Sequence, residues 1–285
     1  MMRRIGAYLL PGDVVWLERT LAQWYDMVDA IVVPVPHGGL SWTGRHLPVD
    51  QALAIIRRLD TRGIVREVPG HWTDASDPRA AELAQRQSAV DALSDGFDWI
   101  LSIDNDEFLP VPERLHAVLE FAEERGVASV EWPMRVLFRQ TRRSVLEVVA
   151  KDGAPIYEYP GPIAVRPGTR LRDARRTDGS FLRPIVRGDD RSVQVARAAE
   201  PGEVRAELLA HEDAILHRSW ARPAGDIRRK IASSGHARDT SLARYYWTTW
   251  LPSPILRPVL RDLHPLSGSL WPSLRRRPKA DVFLD

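Results

Sequence analysis

The sequence predicts an α/β fold with a largely parallel sheet. Through the first hundred residues, short apolar runs alternate with amphipathic stretches of helical period. The apolar run Trp99 to Ile103 ends abruptly in a cluster of acids, as a strand does when it delivers polar groups to a cleft. No internal repeat and no apolar stretch of the roughly 18 residues a membrane span needs interrupts the pattern.

Ile5 to Leu10 reads as the first strand, and a Pro-Gly-Asp turn follows. Residues 14 to 27 place Val15, Leu17, Leu21 and Trp24 at helical spacing, with Val28 following, and deliver the chain to a second strand, Ala30 to Val35. The loop PHGGLSWTGRHLP precedes a helix over Val49 to Leu59 with Ala52, Leu53, Ile55 and Ile56 on its apolar face. Ile64 to Val68 is the third expected strand. The next helix has Asp77 as N-cap, Pro78 in its first turn and Gly96 near its end, and it feeds the strand DWILSID. VPERLHAVLEFAEERG reads as an amphipathic helix stopped by Gly126, and VASVEWPMRVLF as one strand. Residues 150 to 212 are turn-rich and charged without sustained periodicity, so an irregular half-domain is expected there. AILHRSWA is an expected strand and GDIRRKIASSG an expected helix. The last stretch carries Pro, Trp247, Trp250, Trp271 and the basic run Arg275 to Arg277.

Composition narrows the function classes. The chain has 285 residues, 44% of them hydrophobic, enough for a real core in one large domain or two ordinary ones. A net charge of +2 gives no sign of a nucleic-acid partner, and the basic residues are arginines except Lys151, Lys230 and Lys279. With no cysteine there are no disulfides, thiolate zinc sites or cysteine nucleophiles, so any metal rests on carboxylates and histidines. Arg3 and Arg4 precede an apolar run too short for a signal peptide, which makes a cytoplasmic location the expectation.

Asp104, Asn105, Asp106 and Glu107 carry the chemistry. Three carboxylates in four residues repel one another unless a cation compensates, and hard oxygen donors at a strand end suit Mg²⁺ or Mn²⁺. Other motifs fail. HGGLSWTG lacks the Lys-Ser/Thr ending of a phosphate loop and reads as a donor-side loop; no nucleophile elbow is present; His211, His217 and His236 make no i, i+4 zinc pair.

The segment QRQSAVDALSDGFDWILSIDNDEFL resembles the core of the family-2-type glycosyltransferases of the GT-A fold, with their Asp-x-Asp motif after a hydrophobic strand. IGAYLLPGDVVWLERTLAQWYDMVDAIVVPVPHGG is similar to the family's N-terminal strand, acidic contact, helix and second strand, and ILHRSWARPAGDIRRKI to its strand-histidine-helix element; together they span roughly residues 3 to 236. The resemblance implies a GT-A-like Rossmann-type sheet in a catalytic domain over 1–235. Its nucleotide-binding half would end near residue 110, with an acceptor half over 111–235 and a tail over 236–285. It implies metal ligation by Asp104, Asp106 and His217, with Glu107 in support. Donor contacts would come from Asp13, Arg86, Asp104, Arg229 and Lys230, although PGD stands where the family has an Asn-Glu pair. The implied reaction is metal-dependent, inverting transfer of a sugar from a nucleotide-diphosphate donor to a hydroxyl acceptor: a glycan, a lipid-linked acceptor or a secondary metabolite. Asp213, Glu131 and Asp152 are the candidate bases. Replacing Asp106 by Ala is expected to abolish transfer and spare the fold. A sugar-phosphate nucleotidyltransferase is the alternative, against which LLPGDVVW offers no basic glycine-rich loop; an inert carbohydrate-binding protein is the other. The Trp/Arg-rich tail is expected either to pack over the acceptor cleft or to touch the inner face of an anionic membrane.

Overall fold

The structure, a computed structural model, describes residues 3–233, 240–265 and 267–282, so His236 lies outside the described residues. The strands are β1 Ile5–Tyr8, β2 Ala30–Pro36, β3 Val65–Gly70, β4 Trp99–Ser102, β5 Glu107–Phe108, β6 Ser129–Glu131, β7 Met134–Gln140, β8 Ser144–Val149, β9 Pro162–Val165, β10 Leu171–Asp173, β11 Arg176–Thr177, β12 Phe181–Val186, β13 Glu203–Leu209, β14 Ile215–His217 and β15 Ser273–Pro278. The helices are α1 Leu17–Trp24, α2 Val49–Leu59, α3 Pro78–Asp91, α4 Arg114–Glu124, α5 Val193–Ala196, α6 Ala224–Ser233, α7 Thr240–Tyr245 and α8 Ser253–Leu256.

Eight strands form the main sheet in the order β13-β12-β6-β9-β4-β1-β2-β3. All its pairings are parallel except those of β9, which runs against both β4 and β6. Alternation along each strand separates the two faces. Ile31, Val33, Trp99 and Leu101 pack with α1, α2 and α4, whereas Tyr8, Val32 and Ile100 pack with Ala89 and Val90 of α3. The result is the α/β class the sequence predicts: a large, mostly parallel, Rossmann-like sheet flanked by helices. As expected, α2 spans Val49–Leu59, and the Asp77 side chain caps α3 by accepting from the Ala80 amide at 3.1 Å.

Three expectations change. VASVEWPMRVLF is two strands, because Trp132 and Pro133 break it between β6 and β7, and the two join different sheets. Residues 150 to 212 are not irregular: they supply β9, β12 and β13 to the main sheet. Their charged pattern hid this, since Arg183 of β12 is buried in ion pairs with Glu131 and Glu203 rather than solvated. The sheet therefore takes strands from both sides of residue 110. The C-terminal stretch is built into the fold: β15 pairs with β8 in a second sheet, β15-β8-β7-β14-β5, and Trp250 and Trp271 are buried in its core. Its basic run is partly compensated, with Arg275 and Arg277 both facing Glu147. Among the described residues no helix is long and apolar enough to cross a membrane.

Candidate active site

The C-terminal ends of β1, β2 and β4 open into a cleft of about 1350 Å³, the position where sheets of this kind bind ligands. Asp104, Asn105 and Asp106 form its floor. The acidic turn is closed by its own atoms: the Glu107 amide donates to the Asp104 carbonyl at 2.9 Å, and the Asp104 amide to Glu107 Oε2 at 2.9 Å. Asn105 explains the residue between the aspartates. Its side-chain amide donates to the carbonyls of Leu10 (3.0 Å) and Asp13 (2.7 Å), tying the turn to the loop after β1.

Each acid meets a side-chain cation. Arg86, on α3, forks onto both oxygens of Asp104 at 3.1 Å, and Arg175 Nη2 reaches Asp104 at 2.6 Å and also Glu107. Arg222 donates to Asp106 at 2.6 Å and pairs with Asp13, while Lys230 of α6 pairs with Asp106. Burial alone would raise these carboxyls, but Arg175 and Arg86 hold Asp104 below the usual range, and Lys230 and Arg222 hold Asp106 well below it. Glu107 is deeper, and burial pushes it up to about 7 against the pull of Arg175. Burial lowers His217, with Asp106 and Glu158 opposing.

This charge pattern bears on the expected Mg²⁺ or Mn²⁺. Asp104 has both oxygens in the Arg86 fork, Asp106 faces two cations, and among the described residues no three His, Asp or Glu side chains are grouped to hold an ion. As arranged, Asp104, Asp106 and His217 do not fit a divalent metal. The repulsion that suggested one is relieved by guanidinium and ammonium groups.

One wall of the cleft is the loop after β2. Gly38 and Gly39 adopt φ of 65° and 64°, which a side chain would resist. Trp42 is held by a hydrogen bond from its Nε1 to Gln85 Oε1 (2.7 Å), and Gln85 in turn donates to the Pro34 carbonyl (2.9 Å). Thr43 Oγ1 donates to the Ala232 carbonyl at 3.1 Å, bridging this loop to α6.

Asp13, Arg86, Asp104, Asp106, Arg229 and Lys230 all line the cleft. Arg229 is at its exposed edge, paired with Asp226. His217 lines a smaller neighbouring cavity instead. None of the three candidate bases lines either cavity. Asp213 caps a turn by accepting from the Ala210 amide at 2.7 Å, Glu131 pairs with Arg183 at 2.7 Å, and exposed Asp152 pairs with Arg191. Sequence reasoning missed Arg222, Arg175, Gln85 and Trp42. Arg222 lies within the quoted ILHRSWARPAGDIRRKI segment, which was a usable signal; nothing local marks Arg175 among so many arginines.

No protein-family model matches the chain, and no curated protein matches it in sequence. Among solved structures, one to which it is similar is 4-diphosphocytidyl-2C-methyl-D-erythritol synthase from Anaerococcus prevotii, at 14% identity and a TM-score of 0.33, over 57% of this chain and 71% of that one. A likeness at that level bears on neither the reaction nor the residues of this chain.

Proposed function

We propose that the protein is a glycosyltransferase whose cleft takes a nucleoside-diphosphate sugar and passes the sugar to a hydroxyl acceptor. The observation that carries this reading is the charge balance of a strand-end cleft. Its lining holds eight basic residues (Arg45, Arg79, Arg86, Arg176, Arg222, Arg228, Arg229, Lys230) and six acidic ones (Asp13, Glu82, Asp104, Asp106, Asp173, Asp226). The surplus of two positive charges complements a diphosphate, and Trp42 offers an indole wall for a nucleobase.

The chemistry follows from where charge appears. As the bond from the anomeric carbon to the diphosphate oxygen breaks, negative charge grows on the phosphate, and Arg222 and Lys230 stabilise that charge more than the bound donor. Fixed cations beside a buried acid need no reorganisation at that moment. In a single displacement the acceptor oxygen bonds to the anomeric carbon as the diphosphate oxygen leaves, which inverts that carbon, and the hydroxyl proton passes to the departing diphosphate.

A second reading, nucleotidyl transfer to a sugar phosphate, is supported by exposed arginines at the rim, Arg45, Arg79, Arg176, Arg228 and Arg229, which suit a longer phosphate chain. Against it, Asp13 is the only charged residue in the loop after β1, which offers no basic group to a triphosphate. Exposed Trp247, Ile255 and Val259 beside Arg257 and Arg261 support a peripheral contact with an anionic lipid surface.

Calorimetry with UDP, GDP, ADP and dTDP, in chelator and with Mn²⁺, tests the reading, followed by product analysis with the corresponding sugar nucleotides. Binding of one diphosphate, with its release from the sugar donor, is expected, and Lys230→Met weakens binding by about tenfold or more, the loss of one charge-assisted hydrogen bond. Pyrophosphate release from a nucleoside triphosphate and a sugar phosphate would select the second reading. No binding of any diphosphate under either condition would remove the glycosyltransferase reading.

A further inference from the structure

The molecule has a second cavity, of about 210 Å³, on the other side of Lys230 from the cleft. Its lining combines Trp220 and Trp271 with Glu158, His217, Ser219 and Lys230 itself, the residue that lines both spaces. The two indoles meet edge to face, 6.3 Å between centroids. Trp271 Nε1 donates to Glu158 Oε2 at 3.0 Å, and the backbone of Glu158 is fixed by paired hydrogen bonds with Met134 at 2.9 Å. Lys230 Nζ donates to Ser219 Oγ at 2.6 Å while pairing with Asp106, so one ammonium group joins the wall of this cavity to the floor of the cleft. Nδ1 of His217 is buried and has no hydrogen-bond partner among the described residues.

Apolar indole surface alongside a fixed carboxylate, an imidazole and a hydroxyl suits a ligand with apolar faces and a polar edge, which is the chemistry of a sugar ring. The volume is below the roughly 300 Å³ at which drug-sized sites begin, and so matches a single ring. We propose that this cavity binds one pyranose unit of the acceptor. Its apolar face lies against Trp220, the less buried of the two indoles, a hydroxyl donates to Glu158, and Lys230 stands between acceptor and donor. The assignment as acceptor rests on the reading of the cleft as the donor site; the binding of a sugar ring does not.

Saturation-transfer NMR on the intact protein, with the methyl pyranosides of glucose, galactose, mannose and N-acetylglucosamine as probes, tests this in the presence and absence of UDP. Ring-proton signals are expected from at least one pyranoside. Glu158→Gln and Trp220→Leu, each checked for an unchanged melting transition, are expected to weaken that binding about tenfold or more. Silence from all four pyranosides with and without UDP overturns the proposal, as does binding that survives both substitutions unchanged. The diphosphate titration of the unsubstituted protein reports on the cleft separately: a bound pyranoside with no bound diphosphate keeps the sugar site and removes the donor reading.

Discussion

Asp106 shows how far a residue's role depends on its partners. It is buried and neutralised by Arg222, itself buried, and by Lys230. The expectation that Asp106→Ala spares the fold therefore changes, since removing the acid strands Arg222 in a poorly solvated site. The cost sits at the low end of the roughly 3–5 kcal/mol for breaking a buried pair, because the Lys230 side chain is 36% exposed and part of its charge is already screened. Asp106→Asn keeps hydrogen-bond acceptance and costs less. Urea denaturation of the two variants should rank them in that order, and equal stability would contradict the pairing. Ala174 offers a second prediction. It has φ of 41° and sits between β10 and β11, delivering Arg175 to Asp104 and Glu107. Side chains resist that conformation by about 1 kcal/mol, so Ala174→Gly is expected to raise the melting temperature by a few degrees. A lowered one would show that no strain is held there.

At the scale of elements, α3 was the most legible part of the sequence. Asp77 and Pro78 mark its start, and its period sets Gln85 and Arg86 on the side that meets the cleft. Because the cap supplies a real hydrogen bond, Asp77→Ala should cost about 1 kcal/mol in denaturant unfolding; no loss would mean the amide is satisfied otherwise. The strands of residues 150 to 212 were illegible for a physical reason. Buried arginine and glutamate pairs such as Arg183 with Glu131 satisfy each other inside the sheet, so hydropathy reports a loop where backbone pairing makes a strand. The α7–α8 region carries its own prediction. Trp247 is 61% exposed and Ile255 82%, an amphipathic surface beside arginines that should sediment with phosphatidylglycerol vesicles and not with phosphatidylcholine alone. Trp247→Ser combined with Ile255→Ser should abolish the difference; equal recovery with both lipids would end the idea of a membrane contact.

For the whole molecule, the buried charge network ties stability to pH. Asp104 and Asp106 have folded values below those of an unfolded chain, and hydrogen bonding from Arg3 holds Glu123 down to about 2. For such groups the stabilisation is fully present above the unfolded value of roughly 4 and is lost as pH falls through the folded one. Glu107, raised to about 7, works in the opposite direction: its contribution declines as pH rises from roughly 4 to 7. The depressed acids outnumber it, so unfolding free energy should drop steeply below pH ~4. Denaturation midpoints that stay level between pH 5 and pH 3 would show that the network does not stabilise the fold.

The alternation of strand and helix and the junction of Ile103 with the acids were legible in the chain's residues alone, because they are local or periodic features written in hydrophobic spacing and turn chemistry. The grouping of Asp13, Arg86, Arg229 and Lys230 with those acids was implied by the family resemblance and not by any spacing. What neutralises the acids is set by long-range packing, which no local pattern records. Arg175 lies 71 residues from Asp104, while Arg222 and Lys230 lie 116 and 124 residues from Asp106. Coulomb attraction depends on distance in space, and a chain of many arginines carries no local mark of which ones the fold will bring within reach.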